Sequence, residues 1–345
     1  MSGGVDSSVA AALLLEAGHE LIGVTAIMTA GPSRCCSDED VRTAQRVAAQ
    51  LGIPHEVVSV QEDFDRDIIQ YFGREYLAGR TPSPCVLCNP RIKFGRLLEE
   101  AMRLGAERMA TGHYAWTKED SGGGVHLQRG VDAHKDQSYF LARLNQRQLA
   151  SAAFPLGQLT KPEVVRLATQ KGLASRASRE SQELCFVGDA GHGTWIDVRW
   201  LTAPGRGDIL DRDGRKVGEH DGIHHYTIGQ RRGLGLAVGR PVYVTAIDAA
   251  RNVIVVGDYA ETLGRVLTAT DVNWIAGRPP AARFRASVQI RYHHAAAEAE
   301  VSLAADGSAG VEFAEPQFAI APGQQAAFYL GDELLGGGWI GAGQK

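Results

Sequence analysis

Met1-Ser2-Gly3-Gly4-Val5-Asp6-Ser7-Ser8 opens the chain and runs directly into Val9-Ala10-Ala11-Ala12-Leu13-Leu14-Leu15. Adjacent glycines reach backbone angles closed to other residues, so their N–H groups can turn inward together as an anion-binding nest. The helix that follows adds unpaired amides and a partial positive charge at the same spot. Ser2, Ser7 and Ser8 bring hydroxyl donors, and Asp6 is placed to hold a magnesium ion bridging phosphate oxygens. The stretch reads as a phosphate cradle. It lacks the lysine of G-x-x-x-x-G-K-[ST], so it is not of the Walker type. A plain Gly/Ser turn with a Ser or Asp helix cap would explain two glycines, but not the whole S-G-G-x-D-S-S string.

A nest of this kind normally follows a buried strand, a run of about 4–8 apolar residues. Only Met1 stands before it here. The expectation is that the first sheet strand is missing before Met1, through a misassigned start or a truncation. An upstream reading frame without an apolar run would dispose of that idea.

Outward from the cradle, strands and helices alternate. A helix over 7–18 is followed by an apolar run at 21–27, an amphipathic helix at 38–51 and a strand at 55–60. A helix at 62–77, a proline-rich loop at 79–90, a helix at 91–104 and a short strand at 108–111 complete the series. Such alternation predicts a parallel α/β sheet with helices on both faces. Ligands in these sheets bind at the carboxyl ends of the strands. A Gly-rich hairpin is expected at 121–129, and Thr160-Lys161-Pro162-Glu163 is a capping box that opens another helix. From Gly205 onward short alternating segments and Asp-Gly turns take over, which reads as mostly antiparallel β. Strands are expected at 242–247, 253–256, 286–291, 299–303, 310–313 and 325–329. With a seam at 257–263, the chain divides into an α/β domain at 1–198, a small β-rich domain at 199–262 and a β-barrel-like domain at 263–345.

The 345 residues are 44% hydrophobic and 22% charged, with net charge −4, which describes a globular chain. No apolar run approaches the roughly 20 residues of a membrane span, and no signal peptide is visible; both favour the cytoplasm and no membrane partner. Five cysteines, Cys35, Cys36, Cys85, Cys88 and Cys185, are too few and odd in number for a secreted disulfide framework. In a reducing compartment such a set points to catalysis or metal. Cys88 ends the loop Gly79-Arg80-Thr81-Pro82-Ser83-Pro84-Cys85-Val86-Leu87-Cys88, beside a helix start carrying Arg91, Lys93 and Arg96. Helix N-termini and cations favour the thiolate, so Cys88 is a candidate nucleophile. A zinc knuckle would need a second pair of ligands, and no second C-x-x-C exists. Cys185, in Leu184-Cys185-Phe186, reads alone as a core cysteine. No role is assigned to Cys35-Cys36.

Taken in order, several strings identify a resemblance. They are the opening S-G-G-V-D-S-S, Gly79-Arg80-Thr81-Pro82 through Cys88-Asn89, Lys93-Phe94, Ala110-Thr111-Gly112-His113-Tyr114, and Lys135-Asp136-Gln137-Ser138-Tyr139-Phe140. Leu184-Cys185-Phe186 and Tyr226-Thr227-Ile228-Gly229-Gln230-Arg231-Arg232-Gly233-Leu234-Gly235 complete the set. The cradle alone resembles the pyrophosphatase loop of the ATP-pyrophosphatase superfamily; the whole set is similar, nearly end to end, to the bacterial tRNA-specific 2-thiouridylases. The resemblance implies a tRNA sulfurtransferase that adenylates the wobble uridine (position 34) and replaces its O2 by sulfur, releasing AMP and pyrophosphate. It implies ATP bound by Ser2, Gly3, Gly4, Asp6, Ser7, Ser8, Met28 and Gly112, with Mg2+ on Asp6. It implies contact with the anticodon stem-loop through Ser83, Pro84, Cys85, His113, Lys135, Asp136, Gln137, Arg291, Tyr292 and Gln324. Cys185 would carry a persulfide delivered by a cysteine desulfurase or sulfur-relay protein. Cys88 would act as nucleophile or form a transient Cys88–Cys185 disulfide.

Many members of that family have Asp where this chain has Cys85. Cys85, Cys88 and Cys185 together could instead ligate a [4Fe–4S] cluster. Two other readings remain: another ATP-pyrophosphatase of the amidotransferase-type synthetase class, or an inactive tRNA-binding protein.

Overall fold

The computed structural model describes residues 1–29, 37–174, 184–188 and 191–341. Cys35, Cys36 and the 180–183 part of the Cys185 motif lie outside these residues.

Helix α1 (Val5–Glu16) starts two residues earlier than the sequence suggests, because Gly4 takes an extended N-cap conformation immediately after Gly3. It is followed by β1 (Gly23–Ile27), α2 (Asp38–Leu51) and β2 (His55–Ser59). The α2 start is a full capping box between Ser37 and Asp40. β1 and β2 pair in parallel, as do β3 (Met109–Ala110) and β6 (Ala152–Ala153). Among the described residues these remain two separate two-stranded sheets. Met1 and Ser2 run along β1: the Met1 amino group donates to the Val24 carbonyl, and Thr25 Oγ1 donates to the Met1 carbonyl at 2.6 Å.

The proline-rich segment departs from expectation. It is a loop only to Ser83; a helix begins at Pro84, covers Pro84–Cys88, widens into a π-helical stretch at Asn89–Leu97 and closes at Leu98–Arg103. Proline at the first helical position costs no hydrogen bond, which is why the helix can start there. Buried Asn89 braces the widened turn, donating its side-chain amide to the Cys85 and Phe140 carbonyls, both at 3.0 Å.

The expected hairpin forms from β4 (Ala115–Glu119) and β5 (Val125–Arg129). It does not join the parallel strands. β5 pairs with β16 (Glu333–Ile340) near the end of the chain. There, β11 (Leu263–Trp274), β14 (Ala309–Phe318), β13 (Ala297–Leu303), β12 (Arg283–Gln289), β15 (Gln325–Leu330) and β16 form an antiparallel six-stranded barrel, closed by the β11–β16 pairing. Between the two halves, β8 (Lys216–His220), β7 (Gly207–Leu210), β10 (Val253–Gly257) and β9 (Tyr243–Asp248) make a four-stranded sheet. It is antiparallel except where β7 meets β10. No helix among the described residues is long and apolar enough to cross a membrane.

The loop 79–83 is the junction of the three units. The Thr81 amide donates to the Pro322 carbonyl at 2.8 Å. Gln324 donates its amide to the carbonyls of Thr81 (2.9 Å) and Pro82 (3.4 Å). Gly79 leaves room for Ile247 of β9, and Thr81 Oγ1 donates to Thr227 Oγ1 at 3.4 Å.

Candidate functional site

Gly3 has φ +73°, the left-handed region glycine enters freely, and a side chain there would press on the Asp40 carbonyl. Gly4 caps α1 without a side chain, so no cap occupies the first-turn amides. The serines divide. Ser2 and Ser7 hydroxyls stand 3.2 Å apart at the exposed mouth, whereas Ser8 is fully buried and donates to the Gly4 carbonyl at 2.9 Å. Ser7 also reaches that carbonyl at 3.2 Å.

Asp6 carries what the sequence did not disclose. Its Oδ1 accepts from Lys161 Nζ at 2.6 Å and from Tyr114 Oη at 2.8 Å. Lys161 opens the Lys161–Gln170 helix, held there by the Thr160/Glu163 capping box and by its own amide on Asp132. The cradle lacks a lysine in its own loop yet receives one from 155 residues away. Gly112 closes the same space from the β3 side, because a Cβ there would press on the Asp6 backbone and side chain. Met28 follows β1 and packs at the edge of the core that also holds Cys88.

From Gly112 a chain of contacts runs toward the cysteines. His113 is buried; its Nδ1 lies 2.7 Å from Thr111 Oγ1 and its Nε2 3.3 Å from Lys93 Nζ. Burial, and then the Lys93 charge, hold its pKa well below the ordinary imidazole value. The ring is therefore neutral, and its Nε2 accepts from the ammonium while Nδ1–H donates to Thr111. Lys93 in turn acts on Cys85. The Cys85 thiol is pushed up to about 11, by burial first and by the nearby Cys185 second, with Lys93 opposing both. Cys88 is buried in a cluster with Leu87, Ile92 and Phe186, and Cys185 and Leu184 pack against that cluster. The structure thus brings Cys88 and Cys185 to one apolar cluster, with the half-buried Cys85 one helical turn before Cys88 and near enough to Cys185 and Lys93 to feel both. Cys88 is the last residue of the Pro84–Cys88 helix rather than the residue before a helix start. Arg91 and Arg96 face acidic partners, Arg91 with Asp67 at 3.7 Å and Arg96 with Glu100 at 2.6 Å.

The residues expected on RNA separate into two groups. Asp136 is nearly buried, accepting from Arg129, Gly130 and Ser138. Gln137 holds the Tyr114 backbone through both its amide and its side chain. Gln324 is turned onto loop 79–83 as above, and Ser83 and Pro84 are buried at the helix start. Arg291 is largely buried, donates to the Ala319 carbonyl at 3.2 Å, and has its pKa lowered by that burial. These side chains build the walls. Tyr292 is half-buried, its ring 4.3 Å from Phe140. Phe140, Tyr292 and Trp339 rim the barrel-side core, and Trp339 with Tyr71 also borders the Cys88 cluster. Lys135 lies in the turn just before Asp136.

Three comparisons with known proteins bear on this arrangement. Residues 1–189 match the model of the tRNA methyl transferase HUP domain, 199–258 that of the tRNA methyl transferase PRC-barrel domain, and 264–340 that of the aminomethyltransferase beta-barrel domain. A relative from Geobacter metallireducens, named tRNA-specific 2-thiouridylase MnmA, is 47% identical over 352 residues, 99% of this chain and 95% of the relative. One of the same name from Heliobacterium modesticaldum is 47% identical, covering 99% of this chain and 91% of the relative. Among solved structures, the U34-tRNA thiolase NcsA from Methanococcus maripaludis with its [4Fe-4S] cluster is 19% identical at a TM-score of 0.36. That match covers 53% of this chain and 58% of the other, too loose a likeness to carry argument.

Proposed function

The chain belongs to the tRNA-specific 2-thiouridylase family, and on that premise we propose how its residues carry out ATP-dependent 2-thiolation of the wobble uridine of tRNA. The observation that carries the reading is the single line from the Gly3-Gly4 cradle through Gly112, His113 and Lys93 to Cys85, beside the cluster that holds Cys88 and Cys185.

ATP sits with its phosphates on the Gly3 and Gly4 amides, the α1 N-terminus, and the Ser2 and Ser7 hydroxyls. The uridine O2 attacks the α-phosphate, and pyrophosphate leaves toward Lys161. Donors fixed in advance where charge develops are the largest single contribution such sites make. Asp6, whose Oδ1 already accepts from Lys161 and Tyr114, would hold magnesium through its other oxygen, and the ion would supply neutralisation of phosphate charge. Adenylation converts a poor leaving oxygen into AMP. The terminal sulfur of a Cys185 persulfide then attacks C2, and AMP departs. Cys88, as thiolate, attacks Cys185 Sγ, which releases 2-thiouridine and leaves a Cys88–Cys185 disulfide. A cellular thiol supplies the two electrons that reopen it, and a cysteine desulfurase or relay protein reloads Cys185. The base is received by the half-buried Tyr292 and Phe140, since stacking is how unpaired bases are held.

A second reading rests on the third thiol. Cys88 and Cys185 lie in one cluster with Cys85 near Cys185, and three thiolates with one open iron position fit a [4Fe–4S] cluster. Buried thiols are ionised readily by a metal. Iron analysis of anaerobically purified protein decides: a brown, iron-loaded protein that bleaches on Cys85→Ser carries the cluster reading. Colourless, iron-free protein with full thiolation carries the persulfide one. The overall assignment is tested by incubating protein, ATP, magnesium, a cysteine desulfurase with cysteine as persulfide donor, a reducing thiol and unmodified tRNA. 2-Thiouridine with tRNA-dependent pyrophosphate is expected; pyrophosphate without tRNA dependence would favour a different ATP-pyrophosphatase.

A further inference from the structure

We propose that Asp197, His224 and His225 form a binding site for a divalent first-row transition cation that fastens the Cys185-bearing segment to the central sheet domain. Among the described residues this is the one group of three ligating side chains whose donor atoms all lie within 4.8 Å of one another. Asp197 sits on the Gly191–Arg199 helix, which starts six residues after Cys185; His224 and His225 form the short helical turn Ile223–His225. One carboxylate spans both rings, Oδ1 at 2.7 Å from His224 Nε2 and Oδ2 at 3.0 Å from His225 Nε2. A tetrahedral ion with bonds of about 2.0–2.1 Å sets its ligand atoms about 3.3 Å apart. The two carboxylate–imidazole separations, 2.7 and 3.0 Å, open toward that value to admit one, and the three donors already lie within 4.8 Å of one another.

The surroundings are built for these rings. A Cβ on Gly193 would fall on the His225 imidazole, and one on Gly222 would fall on that of His224. Both positions are glycine, so both rings are seated. His224 is fully buried, and its Nδ1 has no hydrogen-bond partner. His192, on the same helix as Asp197, also keeps a buried Nε2 without a partner, its ring stacked 4.5 Å from Tyr76. Two imidazoles and one carboxylate are a donor set for zinc or ferrous iron; calcium and magnesium prefer oxygen. The cysteine chemistry proposed above needs none of these residues. The adjacent helix, however, fixes where the Cys185 segment emerges, so the ion would act as a structural clasp.

Zinc and cobalt are the probes. Full-length protein stripped with chelator and reloaded should hold one zinc per chain, and reloading should raise its melting temperature. Asp197→Asn, which keeps the side chain's size and an acceptor for one ring, should retain less than a fifth of the zinc, as should His225→Ala. Cobalt-loaded protein should show only weak visible bands from nitrogen and oxygen ligands. Zinc content unchanged in both variants would overturn the proposal. So would an intense sulfur-to-cobalt charge-transfer band that survives Asp197→Asn, since the metal would then sit on the cysteines. Absence of stoichiometric zinc would also overturn it and leave Asp197 as a hydrogen-bonded link between helix and turn.

Discussion

Lys161 is the residue on which the cradle's chemistry turns. Its ammonium lies on Asp6 at 2.6 Å with only 18% of its side chain exposed. Removing one pre-positioned charge stabiliser typically costs about 10²–10³-fold in kcat. Lys161→Ala is therefore expected to slow tRNA-dependent pyrophosphate release by about 100-fold, measured at saturating ATP, with the melting temperature little changed. His113 gives a pH prediction. Its folded pKa is depressed by burial and Lys93, so the unfolded chain binds the proton first. Stability is then fully present above the unfolded value of about 6.5 and falls as pH drops below it. Urea midpoints at pH 7.5 and 5.5 should show this loss, and His113→Gln should reduce the slope by about one proton, or about 1.4 kcal/mol per pH unit. The resemblance implied Gly112 at the nucleotide and His113 on the tRNA, just after an expected strand at 108–111, but not that the histidine faces inward. Residue type alone does not say whether a polar side chain meets a ligand or the protein's own backbone; Asp136, on the Gly130 and Ser138 amides, and Gln324, on the Thr81 and Pro82 carbonyls, do the latter.

At the scale of elements, the antiparallel strands were readable where apolar and polar residues alternate, as in β13 and the 310–313 part of β14. β16 was not, because Gly336-Gly337-Gly338 reads as a break. Those glycines are what allow β16 to lie between β15 and β11 and close the barrel: a Cβ on Gly336 would overlap the Asn273 carbonyl, at φ +153°. Gly336→Ala is expected to destabilise the protein by about 1–3 kcal/mol, the range of overpacking with backbone displacement. Gly310→Ala, whose Cβ would meet only an ordinary contact at 3.7 Å, is the control and should change little. The early helix start at Pro84 escaped notice for a related reason. Three prolines read as a loop, yet Pro84 occupies the one helical position where the ring is favourable. The consequence is chemical, since Cys85 and Cys88 stand on a braced helix instead of a mobile loop.

Over the whole molecule, the three units meet at residues 79–83, a junction no local pattern announces because its partners lie up to 243 residues away. Gln324 supplies two of the bonds that hold the barrel to that loop. Gln324→Ala leaves buried carbonyls unsatisfied, a cost of about 1–3 kcal/mol. The Thr81 amide, bonded to Pro322, should then exchange hydrogen about tenfold or more faster. An exchange rate unchanged by the variant would show the docking to be independent of Gln324. The central claim is that sulfur passes from Cys185 to an adenylated uridine within one protein. Its most direct test is a single turnover with enzyme carrying isotopically labelled persulfide sulfur, ATP, magnesium and unmodified tRNA. The account predicts one labelled 2-thiouridine per loaded enzyme and a Cys88–Cys185 disulfide in non-reducing peptide maps. Labelled 2-thiouridine formed undiminished by Cys185→Ser would contradict it.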